Sequence, residues 1–130
     1  LQGVHAHAPV LFVAARLDRR DIVDALIKAG ASIDKAKDDG TTPLLRASQH
    51  CHEEVARLLV EAGAFIDKAW DRGATPLFMA SQEGHKEVVK ALLGLGADAT
   101  LATTEGITPL QIAKYNHYLK IVALLEAALL

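Results

Sequence analysis

The triplet Thr-Pro-Leu stands at 42–44, at 75–77 and at 108–110, a step of 33 residues each time. Gly30, Gly63 and Gly96 keep the same step, as do Gly40, Gly73 and Gly106, then Leu26, Leu59, Leu92 and Leu125, and Ala14, Ala47, Ala80 and Ala113. A unit this short cannot enclose a core of its own. The chain must therefore stack its units, and function should lie on the surface that the stack creates.

Local physics predicts what each unit contains. Thr42, Thr75 and Thr108 can cap a helix with the side-chain oxygen, and the Pro that follows suits the first helical position, where no amide partner is needed. Leu44 and Ala47, like Leu77 and Ala80, then share one face of a helix too short to survive alone. A second helix is expected to begin near His52, His85 and Tyr118, with Glu53, Glu54 and Glu87 at its positive end. Its apolar stripe reads Val55, Leu58 and Leu59, then Val88, Ala91 and Leu92, then Ile121, Leu124 and Leu125. Gly63 and Gly96 suit the left-handed exits of these helices. Turn-rich extended segments at 32–41, 65–74 and 98–107 join one helix pair to the next.

These residues resemble the ankyrin repeat. Asp-Asp-Gly-Thr-Thr-Pro-Leu at 38–44 and Asp-Arg-Gly-Ala-Thr-Pro-Leu at 71–77 match its entry, Gly84-His85 its turn, and Gly30-Ala31, Gly63-Ala64 and Gly96-Ala97 its exit. The likeness runs from about Pro9 to Leu130. It implies an all-α repeat solenoid of helix-turn-helix units with projecting β-hairpin-like loops. The chain is then one domain over 1–130, with repeats near 4–36, 37–69, 70–102 and 103–130 and the outer two degenerate.

The resemblance also implies a function, protein binding without catalysis, through a concave groove and the hairpin tips. Carried over by register, the tip positions are Asp38, Asp39 and Thr41, then Trp70, Asp71, Arg72 and Ala74, then Thr104, Glu105 and Ile107. The exposed ends of the first helices supply Gln49 and His50, Gln82 and Glu83, and Tyr115 and Asn116. Trp70 is the only Trp and replaces the Asp that the family usually places there. Either it offers a partner a large, stiff contact area, or its ring lies back on the neighbouring hairpin between Lys37 and Thr103.

Departures from the pattern locate what is individual. Ala8, Pro9 and Val10 replace the Thr-Thr-Pro entry of the first unit, whose hairpin is expected to be missing, and Arg16, Asp18, Arg19, Arg20 and Asp21 read as a solvated cap. In the last unit, positions that carry charge or Gly elsewhere become Leu101, Leu119, Ala123 and Leu129. Either Leu129 and Leu130 fold back to finish the last interface, or Leu119, Ala123 and Leu129 meet a further repeat, a partner or a second copy of the chain. Arg46 falls where Val13, Met79 and Ile112 stand, so its charge must reach water or find an acid. Asp34 and Asp67 replace a common Asn.

Composition narrows the remaining classes. A net charge of -2 leaves no basic excess for nucleic acid. The longest apolar runs are too short or interrupted for a bilayer, and the opening Leu-Gln-Gly-Val-His-Ala-His-Ala-Pro lacks a secretory pattern. A single Cys cannot form an internal disulfide, which suits a reducing, cytoplasmic setting. A start on Leu instead of Met suggests a trimmed, excised or engineered sequence. The near-identity of Asp34-Lys35-Ala36 with Asp67-Lys68-Ala69 likewise permits a designed scaffold with no natural target. No catalytic set or cofactor motif emerges, Ser48 and Ser81 being small packing residues beside Ala47 and Ala80. A minor alternative is thiol or metal chemistry at His50-Cys51-His52, where imidazoles could lower the thiol pKa. Against it, Cys51 holds the turn position of Gly84 and His117.

Overall fold

A computed structural model describes residues 10–130. Its helices are α1 (residues 10–16), α2 (Arg20–Lys28), α3 (Pro43–Gln49), α4 (Glu53–Glu61), α5 (Pro76–Glu83), α6 (Lys86–Gly94), α7 (Pro109–Tyr115) and α8 (Leu119–Ala128). Ala8, Pro9 and the expected loss of the first hairpin lie outside the described residues. In the last three pairs a first helix packs on a second (α3 on α4, α5 on α6, α7 on α8), and between pairs like packs on like: α3 on α5 on α7 in one row, α2 on α4 on α6 on α8 in the other.

The first helices start where the Thr-Pro pairs predict. Thr42, Thr75 and Thr108 accept from the amides of Leu45, Phe78 and Gln111 at 3.2, 3.1 and 3.2 Å. Gln111 answers through its side-chain oxygen, 2.9 Å from the Thr108 amide, which closes a reciprocal cap. The interior is a continuous apolar seam: Leu44, Leu77, Leu59, Leu92 and Leu125 are all at most 1% exposed, and Val55, Val88 and Ile121 lie beside them. No helix could hide this surface by itself, because the residues it packs against belong to neighbouring pairs.

The turn inside each pair requires a left-handed residue. Gly84 meets this with φ 79°, whereas Asp18, Cys51 and His117 adopt φ 59°, 63° and 60° at the equivalent positions. Gly84 serves a second purpose, since a Cβ there would lie 2.8 Å from Cζ of Tyr118. For a residue other than Gly, Asn or Asp this backbone region is strained. Cys51→Gly is therefore expected to stabilise the fold by about 0.5–1 kcal/mol in urea denaturation. A variant no more stable than wild type would show that the turn holds no such strain.

Histidine ties one turn to the next unit. Nε2 of His52 lies 2.7 Å from the Arg16 carbonyl and Nε2 of His85 lies 2.8 Å from that of Gln49. A carbonyl only accepts, so each ring donates through Nε2. In the last pair Tyr118 stands in the His position, and the Asn116 amide takes over, donating to the Gln82 carbonyl at 3.2 Å. Asp34 and Asp67 make a second set of ties, accepting from the amides of Phe65 and Asp98 at 3.0 Å each.

The segments between pairs are hairpin-like, with no regular strand among the described residues. Lys37, Trp70 and Thr103 donate their amides to the carbonyls of Thr41, Ala74 and Ile107 at 2.9, 3.1 and 2.8 Å, and each loop turns through Gly40, Gly73 or Gly106. The far end of the stack is open. Leu119 is 74% exposed, Leu129 42% exposed and Leu130 wholly exposed. Of the two arrangements expected for this end, the folding back of Leu129 and Leu130 is not seen, since α8 runs on to Ala128 and both residues face water.

Candidate functional site

A groove of about 540 Å³ opens between the second and third hairpins and the first helices beneath them, α5 and α7. Its floor, Ala74, Phe78 and Met79 with Trp70, Ile107 and Ile112, belongs to a small apolar cluster separate from the main seam, which Leu45 completes from beneath. Arg72, Gln82, Thr103, Thr104 and Glu105 supply the polar lining. An apolar floor with a few fixed polar groups at its rim is the form of a binding cleft.

The hairpins hold this rim in place by direct contact. The Thr104 amide donates to the Arg72 carbonyl at 3.0 Å and its hydroxyl to the same oxygen at 3.2 Å. Such closeness needs a bare backbone at Gly73, where an added Cβ would lie 2.9 Å from the Thr104 nitrogen.

Of the positions carried over by register, Trp70, Arg72, Ala74, Gln82, Thr104, Glu105 and Ile107 come together round this groove. Asp38, Asp39, Asp71, His50, Glu83 and Tyr115 are exposed elsewhere along the tips and helix ends, Tyr115 at 79%. Gln49 and Asn116 are half-buried, engaged through the Gln49 carbonyl and the Asn116 amide in the ties between units.

Thr41 needs correction as a contact residue, and Ala74 contributes to the groove from its floor and not from a tip. Thr41 is 4% exposed, and both its amide and its hydroxyl donate to the Asp39 carboxylate, at 3.0 and 2.6 Å. Those bonds hold the Asp39 pKa below the usual carboxylate range. Ala74 is also 4% exposed and belongs to the groove's floor. Each accepts the backbone hydrogen bond that closes its hairpin.

Trp70 does not project freely. Its half-buried ring packs on the Leu45, Phe78 and Met79 cluster, and its Nε1 is buried with no acceptor. Phe78, Met79, Thr103 and Ile112 line the groove although the sequence had not marked them as contact positions. The signal was present in the register, since Met79 and Ile112 are the apolar counterparts of Arg46.

The Cys51 segment does not support thiol chemistry. Partial burial around the sulfur, followed by the nearby Glu53 and Glu87 charges, pushes its pKa up, opposite to the expected direction. The His50 and His52 rings stack with centroids 6.0 Å apart. His52 is committed to the Arg16 carbonyl, while burial and then the Arg46 charge lower the His50 pKa. Among the described residues no three His, Cys, Asp or Glu side chains gather to hold a metal.

A row of first helices roofed by linked hairpins, repeating at 33 residues, defines a helical repeat protein. The family model for ankyrin repeats (many copies) matches residues 11–60, 44–93 and 77–126, again stepping by one unit. The chain belongs to the ankyrin-repeat family. A comparison with curated proteins gives no match. Ankyrin repeats generally act as protein–protein interaction modules and are typically noncatalytic. No helix of the described residues is long and apolar enough to cross a membrane.

Proposed function

We propose that the chain is one ankyrin domain that grips a segment of a partner protein in the groove between Trp70 and Ile112, using the hairpin tips as a rim. The supporting observation is the groove itself, an apolar cluster left accessible beside rigidly linked polar loops. A preformed site loses little conformational entropy on binding, so a modest patch can bind specifically. Trp70 is its central anchor, and Trp70→Ala is expected to weaken a partner by about 2 kcal/mol, roughly 30-fold in Kd. The test is affinity capture from a cell extract with wild type and with a Trp70→Ala, Arg72→Ala double variant. Proteins retained by wild type and lost by the variant are expected. An identical set on both would overturn the assignment.

The open end of the last unit favours a second reading, self-association, because Leu119 presents a large apolar side chain to water. Light scattering across a concentration series is then expected to show dimers for wild type and monomers for Leu119→Glu. Monomers in both would reject it.

A further inference from the structure

Arg46 alone brings charge to a register otherwise filled by Val13, Met79 and Ile112. Its Nη1 donates to the Gln49 side-chain oxygen, its Nε is buried without an acceptor, and its guanidinium lies 5.5 Å from the centre of the Phe12 ring. Lys37 Nζ approaches the same ring at 4.7 Å. Two cations thus share one aromatic side chain, an arrangement that raises the local positive potential.

The chain balances this charge only in part. None of the ion pairs among the described residues involves Arg46 or Lys37. Residues 1–9 contain no Asp or Glu. Asp39 is near enough to feel both cations, and its carboxylate, kept ionised by the Thr41 amide and hydroxyl, offsets part of their charge without forming an ion pair with either.

Periodicity places this pair on the binding face. Lys37 is the counterpart of Trp70 and Thr103, Arg46 of Met79 and Ile112, and all four counterparts line the groove. Register thus sets the two cations one unit before the groove, at the positions that its apolar lining fills in the later units.

Resting on the groove-binding reading, we infer that the partner segment carries an Asp or Glu whose carboxylate docks at Lys37 and Arg46 while an apolar side chain of the same segment enters beside Trp70. A carboxylate would add charge-assisted hydrogen bonds at the Nη groups of Arg46, beyond the one Nη1 makes to Gln49, the buried Nε staying out of its reach. Neighbouring first helices lie about 8–10 Å apart, and the apolar groove is about one and a half helices further on, so an extended segment at about 3.3 Å per residue places the two side chains about four positions apart.

The test is selection of a displayed random peptide library on wild type, Arg46→Met and Trp70→Ala. Met already stands in this register at Met79, and a thermal melt checks that each variant is folded. Wild type is expected to enrich Asp or Glu about four positions from a large apolar residue, and Arg46→Met to keep the apolar preference while losing the acidic one. Replacing that acid by its amide in a selected synthetic peptide should lower affinity about tenfold on wild type and little on Arg46→Met. Apolar enrichment without an acid, or an acid retained by Arg46→Met, would overturn the inference and leave groove binding standing. Failure to select any peptide whose binding depends on Trp70 would overturn both. A phosphorylated version binding wild type more tightly than the carboxylate version would transfer the site to a phosphate and contradict the assignment to Asp or Glu.

Discussion

Leu92→Ala is expected to destabilise the whole stack by about 3–5 kcal/mol, read as a fall in the urea midpoint at unchanged slope. Leu92 is 0% exposed on α6, and α6 packs on both α4 and α8, so the lost side chain is shared by two interfaces. Neither neighbour can collapse into the space without leaving its own partner on the other side. Truncation at this point should therefore act on the second-helix row as a unit. A loss under about 1 kcal/mol would mean that the seam relaxes freely, which a close-packed interior does not do.

Gly73→Ala is expected to cost about 2–4 kcal/mol, through two effects that a second variant separates. Gly73 has φ 79°, and its missing Cβ would also fall 2.9 Å from the backbone nitrogen of Thr104. Gly106, with φ 83° and nothing within 4 Å of an added Cβ, carries the conformational cost alone. Gly106→Ala should thus lose only about 1 kcal/mol. The difference between the two, measured by the same denaturation, reports how tightly the hairpins are pressed together. Equal losses would show that their contact is loose.

The fold was legible because its causes are local or periodic. Thr-Pro fixes a helix start by capping and by an amide that needs no partner, and one step of 33 residues repeats that instruction along the chain. Much of the groove was not legible, for its neighbours come from different units. Ile107 and Ile112 are partners of the Trp70 cluster although they lie more than a full repeat along the chain. Register shows which positions are equivalent, yet it does not say which side of a hairpin turns inward, and Thr41 and Ala74 turned the other way. Arg46 was visible as an intruder in an apolar row, but its answer was Phe12 and Gln49 and not the acid a lone charge suggests. For the last unit the sequence left two arrangements open, and the helix that continues to Ala128 with Leu129 and Leu130 outside agrees with the one that leaves the apolar end uncovered.

The central claim is that each helix pair stands only through its neighbours. Circular dichroism of the isolated segment 70–102, which holds α5 and α6, tests it directly against the intact chain. The intact chain should give a helical spectrum and one cooperative melt, and the segment a disordered spectrum at every temperature. A helical spectrum with its own cooperative melt in the segment alone would contradict the account.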